Sequence, residues 1–370
     1  PQEELHGEVR EQVATLHVHA CTDVISLKGL PPAGTRALAM KLLGDVAPGE
    51  WLNAILAESQ GHPLFIDALA QYASSHEVGA SGQISLDAAL TARVQTLTGA
   101  SRRLLELVSL AARPHDRGLF AQMLDSPLDA ALDPLLKRKL ARTRGSREIV
   151  CFHDRVRTLV VQGLGQTRRA ELHRVLATAL SQHDGVDPAE SALHWEHAGE
   201  TVPAAQAYER AADAALEALA FGRAEQLYAR ALELTPEGEV EARQRLRVQR
   251  AHALARGGKS AEAVTLYQQA AETAEGEARV RLSIWAAQHL LQSAQVERGM
   301  QAARALLAEL DMTLPQGNTA AFARIAWDRS RLSLRGLALK PAPEGGLDAR
   351  TRLQLEAAWQ LSAPVAWVDI

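Results

Sequence analysis

Along most of this chain apolar residues recur at helical spacing, and short extended runs interrupt that period in two places. The first is Val24-Ile-Ser-Leu27, a β-branched apolar stretch between Asp23 and Gly29 that reads as one buried strand. One strand makes no sheet, so residues 1–30 read as the tail of an α/β core whose remainder lies elsewhere. From Pro31 the period turns helical. Residues 35–43 predict a helix stopped at Gly44. Pro48-Gly49-Glu50 opens another, with Trp51, Leu52, Ile55 and Leu56 on one stripe, ending at Gly61. Pro63 starts a third, carrying Leu64, Phe65, Ala68, Leu69 and Tyr72. Proline suits a first helical turn, where its missing N–H would have no intrahelical partner. Residues 74–85 are rich in Ser and Gly and predict a loop, and Leu86, Leu90, Val94 and Leu97 mark the next helix.

Residues 101–165 change character. Helices predicted at 102–112, 118–124 and 127–140 lead into the second extended stretch, 141–152, which Gly145-Ser146 divides as a hairpin turn would. Three helices followed by a hairpin is the plan of a winged helix, and a helix over 153–164 follows. Ten Arg and two Lys against seven acidic residues make this segment +5. From Thr167 onward the pattern is helical throughout. Ala204-Ala-Gln-Ala-Tyr208-Glu-Arg-Ala-Ala212, Ala224-Glu-Gln-Leu-Tyr228-Ala-Arg-Ala231 and Ala261-Glu-Ala-Val-Thr-Leu-Tyr267-Gln-Gln-Ala270 share one plan. Small residues precede a tyrosine that fills the gap between helices, and alanine follows where backbones cross. Pro236 sits just past the middle copy, and Gly199, Gly222 and Gly257-Gly258 fall at the turns. This resembles tetratricopeptide repeats, whose unit is about 34 residues. The spacing is uneven, so the copies are degenerate. The three tyrosines are expected between paired helices.

Composition narrows the function classes. At 370 residues, 47% hydrophobic and 23% charged, the chain can bury a large core. Aromatics are only 4%, so Leu, Ala and Val must fill it, which favours close helix packing. A net charge of −4 gives no overall bias toward nucleic acid or anionic membrane. No apolar run approaches the ~20 residues of a membrane span, and 1–30 lacks a signal-peptide core. Cys21 and Cys151 are too few for a disulfide framework or a Cys-rich zinc site. A cytoplasmic protein is expected. The preponderance of Arg over Lys, with abundant Ala, suggests GC-rich bacterial coding.

Candidate chemistry is sparse. A phosphate-cradling loop needs G-x-x-x-x-G-K-[ST], whose glycines let backbone N–H groups approach the phosphates. Of the six lysines, only that of Gly258-Lys259-Ser260 comes near, with Ala253 at the first glycine, and this segment reads as a turn between repeat helices. His194-Trp-Glu-His197 lacks the H-E-x-x-H order of a zinc protease. His17 and His19 are isolated. Arg102-Arg103 and Lys137-Arg138-Lys139 suit phosphates of DNA or nucleotide, although charge runs on helices usually face solvent.

Two short motifs remain, Glu58-Ser-Gln-Gly-His-Pro-Leu-Phe-Ile66 and Phe152-His-Asp-Arg-Val-Arg157. Each has a plain reading: a helix–turn–helix corner for the first, a helix start at His153 with Asp154 as a cap for the second. Their order, followed by a helical array, resembles the back half of STAND-type signalling ATPases (signal-transduction ATPases with numerous domains) fused to tetratricopeptide-like repeats. In that family a Gly-x-Pro lies in the helical lid with its proline against adenine, which implies that role for Pro63, with Leu64 or Phe65 supporting the pocket. The histidine of the family's (Met/Phe)-His-Asp motif reaches the β-phosphate of ADP, which implies that role for His153. Imidazole suits it because its N–H donates to an anion. His62 departs from the family's commoner asparagine, and neither the phosphate loop nor the acidic magnesium strand is found in these residues.

The expected fold is mainly α: residues 1–30 as the tail of an NTPase core, 31–100 a helical lid, 101–165 a winged-helix-like domain, 166–370 an α-solenoid of tetratricopeptide-like repeats. The start at Pro1 and the apolar end read as cuts from something longer. The resemblance implies a regulatory and protein-interaction part of a bacterial signal-transduction ATPase. It would act as a nucleotide-dependent switch, its parent fused to a serine/threonine protein kinase or, next, a LuxR-type regulator or nucleotide cyclase. ATP or ADP is expected in the parent and neither catalysis nor a cofactor in this chain alone; partners are a protein or inducer on the repeats and the absent core. The alternatives are a repeat scaffold indifferent to nucleotide, and a DNA-reading winged helix, which Asp129 and Asp133 in helix 127–140 oppose.

Overall fold

A computed structural model describes residues 28–44, 48–75, 84–145, 147–183, 185–293, 295–315, 317–336 and 346–368. The strand expected at 24–27, with His17, His19 and Cys21, lies outside them. The chain divides into two compact units, Pro1–Arg168 and Arg169–Ile370. Among the described residues there are eighteen helices and one three-stranded sheet, a mainly α fold.

The first unit opens with four helices: α1 (Pro32–Leu43), α2 (Gly49–Ser59), α3 (Pro63–Ser75) and α4 (Leu86–Gln95). α3 packs against the other three and buries Ile66, Leu69 and Ala70. Ser85 caps α4, its hydroxyl accepting from Ala88 N–H. Next come α5 (Gly99–Ala111), β1 (His115–Asp116), α6 (Arg117–Ala121), α7 (Leu128–Lys137), β2 (Ala141–Arg144), β3 (Glu148–Cys151) and α8 (Asp154–Gln162). The strands are antiparallel in the order β1-β3-β2, with His115 opposite Ile149 and Ala141 opposite Cys151. This is a winged helix. β1 escapes sequence reading because two residues show no alternation. The helix predicted to reach residue 140 stops at Lys137. There Lys139 turns left-handed, and Leu140 N–H bonds back to Leu135 C=O, which aims the chain into β2.

Beyond α8 the described residues form only helices: α9 (Gln166–Ser181), α10 (Pro188–His197), α11 (Thr201–Glu217), α12 (Phe221–Leu234), α13 (Val240–Arg256), α14 (Ser260–Glu272), α15 (Gly276–Gln292), α16 (Val296–Glu309), α17 (Asn318–Arg335) and α18 (Ala349–Val368). From α10 to α16 each helix packs on the next, as a solenoid requires, and α18 lies on α15 and α16 with Leu353, Ala357 and Leu361 buried. Tyr208, Tyr228 and Tyr267 are buried, as expected. Each is the eighth residue of its helix, with alanine four before (204, 224, 263) and three after (211, 231, 270), all buried. The uneven tyrosine spacing has a simple origin: Tyr208 and Tyr228 sit on consecutive helices, Tyr228 and Tyr267 on alternate ones. Each hydroxyl finds a partner on the preceding helix or turn. Tyr208 donates to Glu196, Tyr228 to Asp213, and Tyr267 pairs with His252 Nδ1 at 2.7 Å. Burial raises the pKa of all three phenols, so they stay protonated.

α16 is a fourth copy that its sequence conceals, because Ala303 stands at the tyrosine position and Gly299 at the leading alanine. A Cβ on Gly299 would lie 2.8 Å from the backbone nitrogen and side chain of Leu291. Gly299→Ala is therefore expected to destabilise the fold even though alanine favours a helix by about 1 kcal/mol, because forcing the two helices apart costs about 1–3 kcal/mol. A lower urea midpoint checks this; a raised midpoint would mean that α16 does not seat on Leu291.

Candidate functional site

α2 stops where Gln60 and Gly61 both take positive φ, 48° and 76°. The backbone of Gly29 and Leu30 lies against this turn, and Leu30 N–H donates to Gly61 C=O at 2.8 Å. A Cβ on Gly61 would come within 2.3 Å of Leu30 C=O, so glycine is demanded by both conformation and space. Pro63 then occupies the first position of α3 and is exposed, Leu64 is buried, and Phe65 is half-buried.

Its counterpart is the entry to α8. His153 is extended and caps the helix, its Nδ1 accepting from Arg155 N–H at 3.1 Å. A neutral imidazole accepting at Nδ1 carries its proton on Nε2. The His153 ring meets His62 edge-on at 5.1 Å between centroids and Phe65 at 4.9 Å, while His62 stacks on Phe65 at 4.5 Å. The two motifs, far apart in sequence, thus form one three-ring cluster beside Pro63. Asp154 does not cap the helix; it pairs with Arg157 at 2.8 Å. A cavity of about 260 Å³ next to this turn is lined by Arg142, Phe152, His153, Asp154 and Arg157 among others.

Ion pairs frame the cluster. Arg155 grips Asp87 through two nitrogens at 2.9 and 2.7 Å. Asp67 on α3 takes Arg93 at 3.1 Å and Lys139 at 3.3 Å, and Glu58 accepts from Leu86 N–H at 3.1 Å. Sequence reading missed Asp67 and Asp87, and gave Glu58 no role beyond its place in the first motif, since a lone carboxylate on a helix carries no pattern beyond its charge. Four basic residues singled out as phosphate contacts have partners within the chain, Arg103 with Asp125 at 3.8 Å among them. Arg102 donates to buried Glu106 and to Val94 C=O, Lys137 pairs with Asp133, and Lys139 with Asp67. Arg168 joins Glu106 from the other side at 3.1 Å. Cys151 is buried against Ser109, and burial pushes its thiol up to about 11.

In the second unit Gly258-Lys259-Ser260 is a turn between α13 and α14, Lys259 N–H bonding Leu254 C=O at 2.9 Å. His194 meets His173 Nδ1 to Nδ1 at 2.8 Å, both rings buried, with His197 beside His173 at 4.8 Å. Burial pushes His173 down to about 4, with His197 and Arg169 adding to the shift. His252 is lowered to about 4 by burial, Arg256 and His289. Arg230 and Tyr208 bond Glu196, and the Arg230 bond is the main cause of its lowered pKa. Among the described residues no group of three or more His, Cys, Asp or Glu could hold a metal ion, and no helix is long and apolar enough to cross a membrane.

No family model matches the chain, and no curated protein matches it. Among solved structures the fold is similar to the crystal structure of a signal transduction ATPase with numerous domains (STAND) protein with a tetratricopeptide repeat sensor, from Pyrococcus horikoshii. The TM-score is 0.50 and the identity 15%, over 93% of this chain and 48% of that one. At that identity the likeness is one of fold. This chain spans about half the length of that protein.

The buried histidines set a pH dependence. A ring held neutral by burial binds its proton less readily folded than unfolded, so stability is complete above the ordinary value of 6.5 and is lost as pH falls toward about 4. The urea midpoint is expected to decline across that interval, and less steeply in His173→Asn. A midpoint flat from pH 6.5 to 4 would show that both rings accept protons inside the fold.

Proposed function

We propose that this chain is the regulatory part of a STAND-type signalling ATPase. Helices α1–α4 act as the lid, and lid and winged helix close on a nucleotide held mainly by a phosphate-binding core. The repeats receive a protein partner or inducer that favours the open state. The observation that carries this reading is the edge-on packing of His153 against the stacked rings of His62 and Phe65, beside Pro63. In it Pro63 lies against the adenine, burying a flat base without competing hydrogen bonds, and His153 Nε2–H donates to the β-phosphate. A cytoplasmic serine/threonine kinase is the proposed parent, ahead of a LuxR-type regulator and a nucleotide cyclase, a ranking that rests on the family resemblance alone. A second reading keeps the repeats as a scaffold and His153 as a helix cap only, and the bond from Arg155 N–H favours it.

The two readings separate in the full-length ATPase. Losing a hydrogen bond to a charged group costs roughly 1.5–3 kcal/mol, so His153→Ala is expected to speed ADP release more than tenfold and raise basal output. An unchanged off-rate would leave the histidine structural. The 370-residue chain by itself, lacking the G-x-x-x-x-G-K-[ST] loop, is expected neither to hydrolyse ATP nor to bind it tightly. Micromolar ATP affinity by calorimetry would contradict that.

A further inference from the structure

We propose that Asp87 is a positioning residue for His153: acting through Arg155, it fixes which ring nitrogen the imidazole offers outward. The value of that orientation rests on the nucleotide-contact reading, while the geometry stands without it. α4 begins at a pinned turn, since Glu58 accepts from Leu86 N–H and Ser85 accepts from Ala88 N–H. Asp87 lies within that turn, and its two oxygens receive Arg155 Nε and Nη2 at 2.9 and 2.7 Å. A two-point contact of this kind fixes angle as well as distance. Both side chains are about half exposed, at 49% and 57%, so the pair adds little stability, and its effect is directional.

Arg155 does two things at once. Its guanidinium holds Asp87, and its backbone N–H donates to His153 Nδ1. That donation makes Nδ1 the acceptor and leaves the proton on Nε2. On the other side the ring rests against His62 and Phe65. The first motif therefore holds His153 from both ends: Glu58 through α4, Asp87 and Arg155, and His62 with Phe65 directly. Without the Asp87 grip the first turn of α8 is free to fray, Nδ1 loses its fixed donor, and the ring samples both tautomers.

The test is the tautomer of His153 in the chain labelled with ¹⁵N-histidine. It is read from the two ring-nitrogen shifts at about pH 8.5, above the ordinary histidine range, with His153→Gln to assign the signals. The wild type is expected to show the Nε2–H form. Asp87→Ala is expected to move both nitrogens toward the averaged shifts of a mixture, and the exchanged pair Asp87→Arg with Arg155→Asp to restore them. If Asp87→Ala does not fold, Asp87→Asn, which keeps the shape and loses the charge, gives the same comparison. Unchanged nitrogen shifts in a folded Asp87 variant would overturn the proposal, whatever happens to the melting temperature. The readout needs no nucleotide. An intact ADP off-rate in the parent's His153→Ala would sink the ligand reading while leaving this result standing, and the reverse holds equally.

Discussion

Close approach of backbones at alanine and glycine is the constraint on which the rest of this structure depends. With so few aromatic side chains, the helices meet where Ala204, Ala224, Ala263 and Gly299 leave nothing larger than a methyl group between them. One tyrosine per interface fills the wider end in three of the four cases. A phenol buried that way brings a hydroxyl that would cost about 1–3 kcal/mol unpaired, and each copy supplies a different partner: Glu196, Asp213 or His252. The partners vary because only a hydrogen-bonding group at the right height is needed. The small residues do not, because the distance between helices is set by them.

The same constraint builds the site. Leu30 lies on Gly61 too closely for any side chain, so the turn before α3 has one available path, and His62, Pro63 and Phe65 follow from it. The ring cluster with His153 is then a consequence of where that turn ends and where α8 begins. Charged pairs exposed on both sides, such as Asp87–Arg155, are too exposed to hold this arrangement by their energy alone. They select directions within a frame that close packing has already made.

How much of this was legible in sequence depends on the range of the interaction. Helices, the hairpin at Gly145 and the tyrosine plan are local and periodic, and they stand near where the pattern puts them. The two-residue β1 and the end of α7 are decided by pairing with β3 and by the left-handed Lys139, which no window of sequence displays. The fourth copy in α16 was invisible because its signature is an absence of size at Gly299. Pro63 and His153 could be picked out by motif. Asp87 and Asp67 could not, nor could the role of Glu58 within its motif, since their meaning is a partner dozens of residues away. Asp154, whose type and position suited a cap, is instead engaged by Arg157, because the residue before it already performs that task.

That last point bears on the choice between a structural and a ligand-binding histidine. The two are not rivals for the same atom. Capping uses Nδ1, the contacts with His62 and Phe65 use the ring face and edge, and a phosphate contact would use Nε2. If capping were the whole requirement, Ser, Asp or Asn would serve α8 better, being the favoured N-cap residues. If packing against Phe65 were the requirement, a phenyl ring would serve. Histidine is the side chain that caps with one nitrogen, packs as an aromatic and still presents an N–H donor on its far side. The cap therefore does not compete with a ligand contact, because accepting at Nδ1 leaves the proton on Nε2, where an anion could use it.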